Sequence, residues 1–288
     1  MIHKDRHEAN RLSWNAATRQ HNTHKGDQAA FLRGGGSTLF PEEIALLGDV
    51  RGKTLAHLQC NAGQDTLSIA STLGATVTGV DISDEAIRFA QQLASDSGIP
   101  GTFICSDIYD WFAHNTTCYD VVFSSYGAIL WLSDLKVWGR GLAAALKPGG
   151  RFVLVEFHPM ICVLDGALSG DWKHASDYMG GRLSSFETGV GDYVAEAGGA
   201  LSNTGTVIQA GQPFTNPHPS HEFNWGLADV VSALLEAGLS LTVFHEYPYC
   251  NGFKPFPVMI EKPGRRMVFP DEMPVLPLMY GLAARRPG

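Results

Sequence analysis

The sequence predicts an α/β fold with a doubly wound, mostly parallel seven-stranded sheet. Three observations carry this expectation. Between residues 53 and 158, short apolar strand-like runs alternate with amphipathic helical stretches; continuous apolar runs of this kind suit strands covered by helices on both faces. The breaks between them fall on glycine, proline and helix-capping residues. After residue 222 the rhythm resumes with one more helix and two more strands. A chain of 288 residues that is 44% apolar suits one large domain, or one domain with a sizeable insertion, and can bury a core without disulfides or metal.

Each element has a local reason. Residues 1–38 are polar, with a helix expected over 11–20 around Leu12 and Trp14, and the glycines at 34–36 break the chain after it. Pro41 opens a short helix through Leu47, because proline is tolerated at a first helical position. Strands are expected at 54–58, 76–80, 102–105, 119–124 and 151–157. A helix over 63–73 follows the first strand. Ser83 caps the next, whose apolar face is Ile87, Ala90, Leu93 and Ala94. Ser133 caps a third that runs to Leu146 and stops at Lys147-Pro148-Gly149-Gly150. Residues 160–222 are glycine-rich and weakly periodic, and read as an insertion. Leu227, Val230, Val231, Leu234 and Leu235 then share one helical face, with Gly238 as C-cap, and strands follow at 239–245 and 275–284.

Composition narrows the partners. The formal net charge is −8, and a phosphate-tracking surface needs a basic face, so nucleic acid is disfavoured. The five cysteines contain no Cys-x-x-Cys pair; Cys60, Cys105 and Cys118 sit in or beside apolar strand-like runs, which reads as buried free thiols in a reducing compartment. The polar N-terminus lacks a signal-peptide apolar region, and no run of about 18 apolar residues occurs, so no membrane partner and a cytoplasmic location are expected.

The informative stretch is His57-Leu58-Gln59-Cys60-Asn61-Ala62-Gly63, which joins the first strand to the first helix. In a doubly wound sheet, ligands bind beyond the carboxyl ends of the strands near this crossover, and a helix N-terminus offers unpaired N–H groups. Asp81, ending the second strand, is well placed to accept hydrogen bonds from a ribose diol. These two features also fit a dinucleotide-binding dehydrogenase, or a generic turn with a capping Asp. Asp107, after the third strand, separates the readings: a second acid there can accept from an adenine amino group, while the following N–H of Ile108 donates to a ring nitrogen.

In this order the pieces resemble the class I S-adenosylmethionine-dependent methyltransferase family, over roughly residues 40–158 and less sharply 223–285. The first loop maps onto 57–63, the ribose acid onto Asp81, the adenine-side acid onto Asp107, and the fourth strand onto 119–125. The run Leu146-Lys147-Pro148-Gly149-Gly150-Arg151-Phe152 is very like the family's. The resemblance implies S-adenosyl-L-methionine as cofactor, held by Gln59, Cys60, Asn61, Gly63, Asp81, Ile82, Asp107, Ile108 and Ser124, and a sheet ending in a reversed β-hairpin. It also implies a division into an N-terminal lid segment (1–38), a Rossmann-like cofactor-binding core (39–159), a substrate-cap insertion (160–222) and the C-terminal part of the core (223–288).

The loop departs from the family. His57 stands where an acid is usual, and Gln59 and Asn61 replace two glycines. Either the loop avoids glycine-only dihedrals or Asn61 adopts the left-handed region; backbone carbonyls and Gln59, or the N-terminal segment, then replace the acid. A Leu-Gln-Cys version of this loop resembles that of a subset of bacterial small-molecule methyltransferases.

Methyl transfer requires exclusion of water, alignment of the nucleophile and, for O–H or cationic N–H acceptors, removal of a proton. His158 after the fifth strand is a candidate base or a strand-end cap, and Glu156 shares its strand face. Tyr126 is a second candidate near the transferred methyl. Trp14, Trp131, His221 and Trp225 are candidate substrate contacts, with packing as the alternative reading for each aromatic. His218, His221 and Glu222 do not form a metal site, since Pro217 and Pro219 forbid the regular helix that zinc patterns need.

The expected function is transfer of a methyl group to nitrogen or oxygen of a small molecule, in bacterial secondary metabolism by resemblance. A non-catalytic adenosyl-binding scaffold and a dinucleotide-dependent oxidoreductase are the alternatives. A homodimer is compatible with the lid and cap, though nothing in the sequence requires one.

Overall fold

A computed structural model of the chain describes residues 2–168, 170, 177–180, 182–196, 201 and 213–288. Parts of the 160–222 insertion, and Met1 of the N-terminal segment, lie outside the described residues.

In chain order the elements are α1 (Lys4–Thr23), α2 (Gln28–Arg33), α3 (Pro41–Leu47), β1 (Thr54–Leu58), α4 (Gln64–Ser68), a π-helical turn (Ile69–Leu73), β2 (Thr76–Asp81), α5 (Asp84–Ser97), β3 (Thr102–Cys105), α6 (Ile108–His114) and β4 (Tyr119–Ser125). A single 3-10 turn (Ile129–Trp131), α7 (Leu135–Ala145), β5 (Leu146–Phe157), α8 (Met160–Leu168), β6 (Arg182–Phe186), α9 (Tyr193–Glu196), β7 (Ser220–Asn224) and α10 (Leu227–Glu236) follow. The chain ends with β8 (Ser240–Tyr247), β9 (Cys250–Asn251), β10 (Ile260–Lys262), β11 (Arg266–Val268) and β12 (Met279–Arg285).

The main sheet has the order β3-β2-β1-β4-β5-β12-β8. Strands β1 to β5 are parallel, and β12 runs antiparallel between β5 and β8. The order reverses between β1 and β4, which opens a crevice beyond their carboxyl ends. Alternation along each strand builds two cores. Ala56, Leu58, Val122, Phe152 and Leu154 face α6, α7 and α10, where Trp138 is fully buried and meets Phe152 edge-on at 5.4 Å. Leu55, Val121, Phe123 and Val153 face the other way, against Leu47 and Ile69. The Lys147-Pro148-Gly149-Gly150 run belongs to the start of β5. There Lys147 Nζ donates to Asp120 Oδ2 at 2.8 Å, and the same oxygen accepts from Thr54 N and Oγ1. That carboxylate ties β1, β4 and β5 at their amino ends.

Several expectations are refined. α1 begins seven residues before the expected helix at 11–20 and runs past its end. The cap of α7 is Asp134, which accepts from Val137 N at 3.0 Å, rather than Ser133. The two terminal strands are adjacent and antiparallel, yet no tight hairpin joins them: residues 248–278 intervene and carry a three-stranded sheet, β10-β11-β9. Cys60 and Cys250 are buried free thiols, whereas Cys105 and Cys118 are exposed. No helix among the described residues is long and apolar enough to cross a membrane.

Gly63, the N-cap of α4, has φ +76°. A Cβ there would lie 2.7 Å from Ala90 Cβ and 2.8 Å from Phe103 Cε1. Gly63→Ala combines backbone strain with overpacking, and should destabilise the fold by about 2–3 kcal/mol in urea unfolding.

Candidate functional site

A cavity of about 540 Å³ lies over the carboxyl ends of β1, β2 and β4. Such a volume suits a cofactor together with a small organic molecule. Its floor is the loop after β1. Gln59 and Asn61 both adopt left-handed backbone, with φ +56° and +47°. The loop therefore takes the glycine-like path, and at Gln59 as well as at Asn61.

What holds that path is Asp81. Its Oδ2 accepts from Asn61 N at 2.8 Å and its Oδ1 from Ser83 N at 2.9 Å. Burial raises the carboxyl to about 6, against the pull of these backbone N–H groups. His57, at the usual acid position, is buried, with Nδ1 2.8 Å from Thr66 Oγ1, and burial lowers it to about 4. It is a neutral imidazole at neutral pH.

Asp107 caps α6 by accepting from Tyr109 N at 2.8 Å. Its other oxygen lies 2.7 Å from His7 Nδ1 and 3.2 Å from Lys4 Nζ. Burial pushes this carboxyl upward, but the hydrogen bond from His7, with the Tyr109 N–H and the Lys4 charge, outweighs it and holds Asp107 below the usual range. His7 stacks on Tyr109 at 5.4 Å.

α1 roofs the cavity and is sewn to the insertion. Asn10 exchanges two hydrogen bonds with the backbone of His221, at 2.7 and 2.8 Å. Ser13 Oγ accepts from Val190 N, and Asn216 Nδ2 donates to Ser13 O, both at 2.9 Å. Gln20 and His24 both reach Asp192 at 2.8 Å. Trp14 meets Trp131 edge-on at 5.5 Å.

The structure brings Gln59, Cys60, Asn61, Asp81, Ile82, Asp107, Ile108, Tyr126, Trp14 and Trp131 to the cavity wall. The other expected residues lie elsewhere. Gly63 sits behind the loop, against Ala90 and Phe103. Ser124 is buried in β4 with Oγ 3.3 Å from Leu58 O, and Ser125 lines the cavity instead. Trp225 Nε1 donates to Leu132 O at 2.7 Å. His221 Nδ1 meets Ser185 Oγ at 2.8 Å. His158 is also off the wall: Nε2 lies 3.1 Å from Glu246 Oε1, and Nδ1 accepts from Met160 N at 3.1 Å. Its strand-end capping reading fits this geometry; the catalytic reading does not.

Tyr126 has φ +38°, and its OH accepts from Asn251 Nδ2 at 3.0 Å. Burial, and then the Glu43 charge, push the phenol well above its usual range, so it stays protonated. Glu156, on the strand before His158, accepts from the backbone N–H groups of Gly127, Ala128, Ile129 and Phe157. It shapes the loop after β4 that carries Trp131. Sequence reasoning missed His7, Asn10, Glu222 and Asn251 on the wall. His7 carried one signal, a histidine two helical turns before Trp14 on the same face of the lid helix.

An adenosyl cofactor fits the acceptors in this wall. Gln59 Oε1, His7 Nε2 and Asn251 Oδ1 are buried, belong to cavity-lining residues and have no partner among the described residues. Asp81 adds a half-buried carboxylate, complementary to a diol.

The fold and the crevice are those of a doubly wound α/β domain with a ligand site beyond the carboxyl ends of its strands. Residues 56–150 match the family described as a methyltransferase domain. Ubiquinone biosynthesis O-methyltransferase from Vibrio parahaemolyticus serotype O3:K6 is 36% identical over 100 residues, which cover 35% of this chain and 42% of that protein. Phosphoethanolamine N-methyltransferase 1 from Triticum aestivum is 31% identical over 124 residues, 41% of this chain and 24% of the wheat protein. The chain thus spans less than half the length of these curated relatives. Among solved structures, an S-adenosylmethionine-dependent methyltransferase from Mesorhizobium loti superposes with a TM-score of 0.53 at 18% identity, over 88% of this chain and 99% of that one. One from Clostridium acetobutylicum gives 0.52 at 12% identity, over 82% and 84%. These two likenesses concern the fold.

His158→Ala removes a buried hydrogen-bond pair away from the cavity. It should cost about 1–2 kcal/mol of stability in urea unfolding. Calorimetry should find unchanged affinity for S-adenosylhomocysteine.

Proposed function

We propose that this chain transfers the methyl group of S-adenosylmethionine to a nitrogen or oxygen of a small molecule held in the cavity. The observation that carries the reading is the half-buried Asp81 carboxylate, clamped by Asn61 N–H and facing the same cavity as Asp107 and His7. When bound, the cofactor supplies an activated methyl group on a sulfonium. Asp81 would accept from the ribose hydroxyls. Asp107 and His7 supply acceptors on the adenine side, and Gln59 Oε1 supplies one for the amino group in place of the missing acid. Trp14 and Trp131 close the roof against water, which favours displacement over hydrolysis. A concave cavity roofed by α1 and a net charge of −8 favour a small substrate over nucleic acid. A cytoplasmic place in bacterial secondary metabolism accords with the resemblance of the loop.

The altered glycine loop raised the scaffold reading. Gln59 and Asn61 take left-handed backbone, so the substitutions leave the path of the loop open to a ligand. The methyltransferase reading is therefore preferred.

Calorimetry with S-adenosylhomocysteine is the direct test; micromolar or tighter binding is expected, and none by a folded sample would sink the reading. Asp81→Ala should weaken binding by about 1–3 kcal/mol. The pH dependence has a fixed sign. In the free protein Asp81 titrates near 6, above the usual carboxylate range. Ribose donors favour its ionised form, so binding below that pH releases a proton. Affinity should rise with pH up to about 6 and then level off, and Asp81→Asn should flatten the rise. The same shift makes unliganded stability fall as pH climbs from the unfolded carboxyl value through about 6.

A further inference from the structure

One cavity carboxylate has no part in the cofactor site. Glu222 lies in the middle of β7, which pairs antiparallel with β6. Side chains alternate along a strand. Ser220 and Glu222 line the cavity with Phe186, the cross-strand partner of Ser220, while His221 turns to the other face to meet Ser185. Among the described residues no hydrogen bond or ion pair reaches the Glu222 carboxylate. Burial alone raises it to about 7. The titratable group that senses its charge is the Cys162 thiol on α8, which burial and then Glu222 raise to about 11.

Aromatic rings line the same cavity, which also holds Lys25 and Arg265 on its wall. Tyr193 lies 6.4 Å from Trp14 and 6.3 Å from Phe253, ring centre to ring centre. A carboxylate half-withdrawn from water without a donor is costly, and an incoming cation offsets that cost. An ammonium gains from the carboxylate, and the rings on the same cavity wall suit an apolar body. A neutral hydroxyl gains far less from the carboxylate than an ammonium does.

We propose that Glu222 binds the acceptor as an ammonium ion and removes its proton, so that the substrate is a primary or secondary amine with an apolar body. This rests on the methyl-transfer reading above. The N–H proton passes to a carboxylate oxygen, leaving a neutral amine and a neutral carboxyl. The nitrogen lone pair forms the N–CH3 bond, and the S–CH3 bonding pair stays on sulfur. The sulfonium becomes a thioether and the positive charge moves to nitrogen.

The test uses the full chain loaded with S-adenosylhomocysteine, titrated calorimetrically with matched probes: 2-phenylethylamine against 2-phenylethanol, and tyramine against tyrosol. Each amine should bind at least tenfold more tightly than its alcohol, with affinity rising as pH passes about 7. Glu222→Gln should abolish both the preference and the pH step while leaving S-adenosylhomocysteine affinity unchanged, and Glu222→Asp should keep the preference. With labelled S-adenosylmethionine, Glu222→Gln should lower kcat/KM for the amine by about 100-fold or more. Equal or tighter binding of the alcohols, or an amine preference that survives in Glu222→Gln, overturns the assignment. So does a Glu222→Gln variant weakened for S-adenosylmethionine but not for S-adenosylhomocysteine, because the carboxylate would then face the sulfonium. If the wild-type chain binds no S-adenosylhomocysteine, the parent reading fails by itself, and the amine preference measured on the free protein still decides the role of Glu222.

Discussion

A carboxylate drawn out of bulk water is stabilised by donors close at hand, and three such carboxylates shape the loops over the upper face of the sheet. Asp81 draws Asn61 N–H to itself and so fixes the left-handed loop after β1. Glu156 gathers four N–H groups and sets the turn after β4. Asp107 caps α6 and holds His7, which brings the first turns of α1 over the cavity. Three acids at or just beyond the ends of β2, β5 and β3 each impose one loop. Remove the carboxylates and the loops lose the acceptors that define their paths.

Much of this frame was legible in the sequence. The five parallel strands show as short apolar runs, and their alternation into two cores follows from the period of two. Asp81 and Asp107 stand out because one ends and the other closely follows a short strand-like run. Other parts were hidden for physical reasons. α6 is only seven residues long, and its Tyr109, Trp111 and Phe112 carry no strong helical preference, so the Asp107 cap and the packing of Trp111 decide it. The small sheet of β9 to β11 is built from strands of two or three residues, too short to show a period.

The site was read less completely than the fold, because which face a strand presents depends on pairing that a single sequence does not reveal. His221 and Glu222 illustrate this. The chemistry of histidine draws attention to His221, and the prolines before it suggest a loop. In the structure the segment is a strand, and a single step of register turns the imidazole away from the cavity and the carboxylate into it. His158 fails for a similar reason: a strand end beside the crevice is a good place for a base, yet Glu246 on neighbouring β8 holds the ring away from the cavity. The structural role of Glu156 had no sequence signal, since its partners are backbone groups.

The seam between α1 and the insertion has a kinetic consequence. Asn10, Ser13, Gln20 and His24 join the helix to residues 190–192, 216 and 221 by side-chain hydrogen bonds along more than three turns. Two flaps could move in sequence and admit their ligands independently. A roof sewn along its length lifts as one body, so the departure of both products would wait on the same opening, and turnover at saturation would follow the lifetime of the closed state.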